Sequence, residues 1–484
     1  MIFVGTIGIE IHLQLNTQTK LFCGCANSYS QDPNAHICEI CLGHPGTLPR
    51  LNRVALEKGI QLVHALGMDV ATEIKFDRKH YVYPDLSKNY QTSQFYNTLS
   101  KNGLFSILTN GGEKTIQLRE AHLEEDAARL VHADKETKID YNRGGSPLIE
   151  LVTEPDFSNG AEVEVFLRKF QLLVRTINVS DANMELGQMR CDANVSVKLH
   201  SDKVLGIRTE LKNINSPKFV KKAIEFEVNR QIKILESGGE IIRETRTWCE
   251  KRNITTSLRT KEEYLDYRYL PDPDIPIVHL TEKDINEIIV SCPELPHERI
   301  LRYESDFNIN STVANELVNK PALADYFDST IILFNDGHLV SSWLLNQVRA
   351  LFKKFKYSFE DSPIMPTQFA DLLELIHSKK ITSKNATMLL EKLAESNMSA
   401  FDLANSLNFF QISDKKQIIL WINEVIENNP EVVQTALEGE TKVPQFLVGQ
   451  VIKLSNGRAS PQIVQEELIN VIFSDMRKKY SHTK

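Results

Sequence analysis

The chain has 484 residues, 42% hydrophobic and 25% charged, an ordinary globular composition with room for two to four domains. A net charge of −8 excludes a uniformly basic nucleic-acid binder, so any contact with nucleic acid has to come from a local basic patch. No stretch approaches the roughly 18 apolar residues of a membrane span, and the opening MIFVGTIGIE has no basic flank and meets a carboxylate at Glu10, which predicts a cytoplasmic protein without a leader and without membrane contact.

The first element is GIEIHLQL. Ile9, Ile11 and Leu13 alternate with Glu10, His12 and Gln14, the period of a strand with one apolar and one ionisable face. FCGCANSYSQDPNAHICEICLGHPG follows, with Cys23, Cys25, Cys38 and Cys41 in a CxC…CxxC array. Two close pairs of thiolates can fill a tetrahedral Zn²⁺ shell and leave no open position, which marks a structural site. The total of seven cysteines is odd, which suits a metal site in a reducing compartment better than a disulfide framework. Four free thiols, or His36 or His44 replacing one cysteine, are the alternatives. Cys191, Cys249 and Cys292 read as incidental.

Lys79 lies in FDRKHYVYP. In QLREAHLEED, His122 and Glu124 share a face, and Glu125 and Asp126 come where the strand should end. GGSP, from Gly144 to Pro147, reads as a turn, and Glu150 sits in the apolar run PLIELV. In RCDANVSVKL, Asp192 and Asn194 oppose Cys191, Ala193 and Val195; in IRTELKN, Arg208, Glu210 and Lys212 share a face. KFVKKAIEFEVNRQIKILES has apolar residues at helical spacing and stops at Gly238-Gly239. YRYLPDPDIPIV predicts an extended, proline-rich segment.

Beyond about residue 290 the pattern turns helical. SSWLLNQVRALFKKF, ITSKNATMLLEKLAES and SPQIVQEELINVIF predict amphipathic helices, with NNPEVVQTALEG and KLSNGRA as joints. Thr441 to Lys484 holds seven Lys or Arg against three Asp or Glu, a basic tail on an acidic chain, which a solvated terminus would also produce. The expectation is an α+β domain with a mainly antiparallel sheet and flanking helices, followed by helices that bind and do not catalyse.

The same strand type, apolar on one face and ionisable on the other, recurs five times. If those strands share a sheet their carboxylates crowd, and two unit charges about 4 Å apart repel by roughly 4 kcal/mol at an effective dielectric near 20. Hard oxygen ligands with an occasional imidazole suit Mg²⁺, which commonly bridges to substrate phosphates. Arg208, Lys212 and Lys79 would then meet phosphate oxygens. A sheet with one face in water gives the same alternation with no such meaning. The chain has no GxxxxGK[ST], GxGxxG, HExxH or GxSxG, so an ATP site here is of another kind and nothing is built to hydrolyse glutamine.

Taken in order, IGIEIHLQLNTQTKLFCGC, CLGHPGTLPRLN, FDRKHYVYPDL, HLEEDAARL, GGSPLIELVTEPD, MRCDANVSV, TELKNINS, DYRYLPDPDIP and FLVGQVIKLSNGRASP resemble the consecutive motifs of one family. That family is the B subunit (GatB) of the heterotrimeric glutamyl-tRNA(Gln)/aspartyl-tRNA(Asn) amidotransferase, and the resemblance covers essentially the whole chain. It implies an ATP-dependent carbon–nitrogen ligase with glutamine as amido donor. In it a cradle domain (1–292) phosphorylates the side-chain carboxylate of misacylated Glu-tRNA(Gln) or Asp-tRNA(Asn), and ammonia then displaces phosphate. A helical domain (293–405) and a tRNA-binding tail domain (406–484) complete the chain. The implied partners in the heterotrimer are a separate amidase (glutaminase) chain and a small linker chain. The resemblance draws magnesium ligands from Glu10, His12, Glu124, Glu125, Glu150, Asp192 and Glu210, and zinc ligands from Cys23, Cys25, Cys38 and Cys41. Lys79 and Tyr81 match active-site positions, with Arg208 and Lys212 as further catalytic candidates and Lys79, Asn194 and Asn213 as candidate ATP contacts.

Two other readings remain open. One is a tRNA-binding adaptor without catalysis; the other is a ligase that aminates a small carboxylate. A synthetase fits less well, since no HIGH-like or KMSKS-like motif is present.

Overall fold

The computed structural model describes residues 2–260, 267–412, 414–437, 443–455 and 457–481, and divides into two compact units at Pro296. Asp266 of the DYRYLPDPDIP motif lies outside the described residues, as do residues 441, 442, 456 and 482–484 of the basic tail, 456 being the Asn of KLSNGRA.

The first unit runs β1 (Phe3–Gln14), α1 (Arg53–Ala65), β2 (Asp69–Val70), β3 (Glu73–Ile74), β4 (Asp77–His80) and β5 (Tyr90–Ser93). Next come β6 (Ser100–Thr109), β7 (Gly112–Glu125), β8 (Arg129–His132), β9 (Thr137–Asp140), β10 (Pro147–Thr153) and α2 (Gly160–Thr176). It continues with β11 (Met189–Leu199), β12 (Thr209–Lys212), α3 (Pro217–Glu236), β13 (Glu244–Cys249) and β14 (Ile254–Thr260). β15 (Leu270–Pro271), β16 (Val278–His279) and α4 (Glu282–Val290) close it. The main sheet has nine strands in the order β14-β13-β12-β11-β1-β10-β7-β6-β2, and β15-β4-β5 form a separate small sheet. Every described pairing of these strands is antiparallel except β12 with β13. This is the α+β arrangement expected, with the extended proline-rich segment supplying β15 and β16.

The apolar side of β1, Ile7, Ile9, Ile11 and Leu13, is no more than 1% exposed and packs in one core with Phe166 and Phe170 of α2, Val220 and Ile224 of α3, and Ile60 of α1. Burying each such side chain contributes about 1.5–3 kcal/mol. All three helices contribute to the core on this apolar side, and the ionisable side chains of β1 alternate away from it. α3 begins where predicted, with Ser216 Oγ accepting from Phe219 N at 3.3 Å and Pro217 in the first turn. It ends at Gly238, whose φ of +77° is a left-handed stop. α2 and α3 approach so closely that a Cβ on Gly160 would lie 2.5 Å from the Lys221 carbonyl oxygen.

The second unit is helical: α5 (Pro296–Phe307), α6 (Ser311–Val318), α7 (Pro321–Ile331), α8 (Gly337–Trp343) and α9 (Arg349–Phe355), then α10 (Pro366–His377), α11 (Ser383–Leu393) and α12 (Ala400–Ser406). Its first core gathers Tyr303, Phe327, Leu344, Phe369 and Leu389. Arg299 donates to Asp325 at 2.7 Å and Asp328 at 2.6 Å beneath it. α13 (Lys415–Asn428), α14 (Pro430–Leu437), α15 (Val443–Leu454) and α16 (Pro461–Ser481) follow, and a second core joins Ile418, Ile422, Leu447, Val451 and Leu468. Two sequence expectations differ here. SSWLLNQVRALFKKF is broken by a π turn over Leu344–Val348, in which Leu344 and Val348 are both buried. NNPEVVQTALEG is not only a joint, because Pro430 opens the helix α14 at a position where its missing N–H costs nothing.

Candidate active site

The five alternating strands are consecutive neighbours, β12-β11-β1-β10-β7. Register then puts their ionisable residues in a row. Glu10 stands opposite Asp192, His12 opposite Glu150, Glu150 opposite His122, and Asn194 opposite Glu210. Because side chains alternate with a period of two, all of these share the face away from the helices.

Two groups form within the row. His12, Glu124 and Glu150 offer ligand atoms within 4.8 Å of one another, and so do Glu10, Asp192 and Glu210. In the first, His12 Nδ1 lies 3.0 Å from Glu124 Oε1 and 3.8 Å from Glu150 Oε2, while His122 Nε2 lies 3.1 Å from Glu150 Oε2. In the second, Lys212 Nζ reaches Asp192 at 2.5 Å and Glu210 at 3.4 Å, and Asn194 Nδ2 donates to Glu10 Oε1 at 2.9 Å. Thr245 Oγ1 donates to the other oxygen of Glu210 at 2.8 Å.

The electrostatics follow from the crowding. Burial pushes the Glu10 carboxyl up, and the charges of Glu150 and Asp192 push it further, against the hydrogen bond from Asn194. Burial alone would depress His12, but Glu150 and Glu124 overcome it and raise the imidazole to about 9. Glu150 goes the other way, because His122 and His12 outweigh its burial. Such a field attracts a cation. The all-carboxylate set of Glu10, Asp192 and Glu210 is a donor set that fits a hard divalent ion such as Mg²⁺, and the other group adds one imidazole nitrogen, of His12, to two carboxylates.

The small sheet borders this row. Lys79 and Gln91 are paired across β4 and β5, and Gln91 Nε2 donates to Glu124 Oε2 at 3.1 Å. Lys79 Nζ lies 4.7 Å from the Tyr267 ring centre and 5.9 Å from that of Tyr81. Burial disfavours its charge, yet Tyr269, Glu124 and Glu150 together raise it above the ordinary lysine value.

Apart from the row, the sulfurs of Cys23, Cys25, Cys38 and Cys41 lie within 4.8 Å of one another. Cys41 is drawn down to about 5, chiefly by the hydrogen bond from Cys23, whereas burial and then Cys38 push Cys25 up to about 11. Four thiols so close cannot all ionise without a cation among them, and an all-sulfur set of four fits a closed tetrahedral metal site.

Two family models match the chain: the GatB/GatE catalytic domain over residues 5–286 and the GatB domain over residues 325–472. The chain belongs to the GatB/GatE family. Among its curated relatives, the B subunit of the aspartyl/glutamyl-tRNA(Asn/Gln) amidotransferase of Carboxydothermus hydrogenoformans is 40% identical over 471 residues, 96% of this chain and 98% of that protein. The protein of the same name from Moorella thermoacetica is 39% identical over 97% of this chain and 99% of its own length. That from Clostridium tetani is 38% identical over 97% and 98%.

In this GatB/GatE member the structure brings Glu10, His12, Glu124, Glu150, Asp192, Asn194, Glu210 and Lys212 onto one face, with Lys79 and Tyr81 at its border. Other sequence candidates stand apart. The Glu125 carboxylate joins neither group and instead accepts from Lys88 Nζ at 2.5 Å and Thr92 N at 2.9 Å. Arg208 is exposed just before β12, and Asn213, at φ +60°, donates to Thr247 Oγ1 at 3.4 Å. The sequence places His122 on the face of Glu124 without making it a ligand candidate, and the structure adds it to the site through Glu150. Gln91 carried no sequence signal, because a separate small sheet brings it there.

Proposed function

We propose that this chain is the carboxylate-activating subunit of a tRNA-dependent amidotransferase. It would use ATP to phosphorylate the side chain of Glu-tRNA(Gln) or Asp-tRNA(Asn). The observation that carries the reading is the pair of three-residue ligand groups on five adjacent strands, in a chain whose relatives are amidotransferase subunits along their whole length.

A carboxylate resists ammonia because oxide is a poor leaving group. In the proposed first step a substrate carboxylate oxygen attacks the γ-phosphorus of ATP and ADP departs. Ammonia then adds to the acyl phosphate carbon, and inorganic phosphate leaves with its electron pair and takes up the proton that the nitrogen sheds. His12, Glu124 and Glu150 would hold one Mg²⁺, and Glu10, Asp192 and Glu210 a second. When bound, such ions supply positive charge where phosphate oxygens gather. Lys79, whose charge Tyr269, Glu124 and Glu150 together favour, and Lys212 add positive charge beside them. Asn194 orients Glu10, and Gln91 orients Glu124.

Zn²⁺ on the four cysteines would be structural. The division into a cradle domain (1–292), a helical domain (293–405) and a tail domain (406–484) that touches tRNA belongs to the same proposal. So do an amidase (glutaminase) partner, a small linker partner and a cytoplasmic location. Among the described residues no helix is long and apolar enough to cross a membrane.

Conversion of Glu-tRNA(Gln) to Gln-tRNA(Gln) by the assembled complex, with and without ATP and Mg²⁺, tests the reading. Product that needs both, and disappears in Glu10→Ala, is the expected result. Amide formation on free glutamate without tRNA would favour a small-molecule ligase, and no product under any condition an RNA-binding adaptor.

A further inference from the structure

Lys20 follows β1 and is 0% exposed. Its Nζ makes two polar contacts among the described residues, neither to a carboxylate: it donates to the Tyr141 carbonyl oxygen at 3.1 Å and to Cys41 Sγ at 3.9 Å. A lysine stem is long and flexible enough to carry its ammonium to water, and a buried ammonium without an anion is strongly disfavoured. This one is held in place. Lys20 N donates to the Cys25 carbonyl oxygen at 3.0 Å and Leu21 N to that of Gly145 at 2.9 Å. At Gly145, φ +85°, a Cβ would come 3.4 Å from Lys20 Cδ and 3.8 Å from Cys41 Cβ, so both side chains pack against the same bare backbone.

The anion that answers this charge is the cysteine cluster. Four thiolates around one divalent ion leave two net negative charges, which need an internal partner as much as the ammonium does. We propose that Lys20 is the counter-cation of the four-cysteine metal cluster, fixed beside Cys41 so as to stabilise the metal-bound state and slow metal loss. Lys20 is thus a positioning residue for the metal site and takes no part in the carboxylate chemistry. The proposal rests on the metal reading of the cysteines.

The test uses the full chain, wild type, Lys20→Met and Lys20→Gln. Zinc content is measured by mass spectrometry, the rate of zinc transfer to a chromogenic chelator is followed, and the sulfur-to-metal charge-transfer band is recorded after Co²⁺ substitution. Wild type should hold one zinc. Both variants should release it faster, on the order of 10- to 100-fold, the affinity loss typical for a partner of a metal ligand expressed in the off-rate. The Co²⁺ band should move to lower energy, because removing the ammonium raises the energy of the thiolate electrons. General loosening of the fold would speed release without moving that band. If Lys20→Met fails to fold, the same measurements on Lys20→Gln decide. Zinc-bound variants with wild-type release and an unmoved band would overturn the role of Lys20. A wild type that binds no zinc or Co²⁺ would overturn the metal reading and the proposal with it.

Discussion

Glu10 on β1 and Asp192 on β11 stand directly opposite each other in an antiparallel pair, with Glu210 of β12 close enough for one ligand atom of each to lie within 4.8 Å of the others. Like charges across a pair of strands destabilise a sheet. Lys212 offsets part of the repulsion at Asp192 and Glu210, whereas the described partner of Glu10 is the neutral Asn194. The arrangement makes sense where a cation is to be held. In chelator, Glu10→Gln should therefore be more stable than wild type by about 0.2–1 kcal/mol. Thermal unfolding with and without Mg²⁺ checks this; a variant less stable in chelator would mean that Glu10 serves the fold.

Lys79 borders the row with aromatic rings beside its ammonium and no carboxylate within salt-bridge distance among the described residues. Replacing it removes positive charge from the face proposed to bind phosphate, without stranding a buried anion within salt-bridge distance among the described residues. Lys79→Met should fold normally and lose turnover on the order of 10²–10³-fold, the range seen for removal of one charge-stabilising donor. Circular dichroism together with transamidation rates separates this outcome from misfolding.

Cys38→Ser should cost the chain its zinc and loosen the segment from Cys23 to Cys41. Ser87 Oγ donates to the Cys41 carbonyl oxygen at 2.8 Å, and Lys88, next in the chain, holds Glu125. A loss of about 2 kcal/mol would lower Tm by on the order of 5 °C in a unit of this size. Zinc content and calorimetry of the variant measure both effects.

Glu244 lies in a buried ionic network, 2.7 Å from Arg246 and 3.2 Å from Arg230. Burial raises its carboxyl, but the hydrogen bonds from Ser257 and Arg246 and the charges of both arginines leave it below the ordinary value. A depressed folded pKa means that the stabilisation is present above the unfolded value, about 4.3, and is lost as pH falls through the folded one. Glu244→Gln should therefore be less stable than wild type by about 1–3 kcal/mol at pH 7, with the gap closing as pH falls below 4.3. Urea unfolding across that range gives the answer.

Much of the site was legible because period-two alternation is local. Glu10, His12, Glu150, Asp192 and Glu210 were readable from their own strands. Their assembly was not, since the order β12-β11-β1-β10-β7 depends on pairings between segments far apart in the chain. Glu124 and Glu125 show how far the local rule reaches. Adjacent residues of a strand point to opposite faces, and Glu125 accordingly turns to Lys88 while Glu124 joins His12. The four cysteines were visible from spacing alone, whereas nothing in the sequence sets Lys20 apart. Only the fold buries it.

The central claim is that the side-chain carboxylate is phosphorylated, and an isotope follows that bond directly. The assembled complex is given Glu-tRNA(Gln) whose side-chain carboxylate carries ¹⁸O, with ATP, Mg²⁺ and glutamine, and the released phosphate is analysed by mass spectrometry. One ¹⁸O in each phosphate released per Gln-tRNA(Gln) formed, and none released by Glu10→Ala, is the predicted result. Gln-tRNA(Gln) formed with no ¹⁸O in the phosphate would contradict the account.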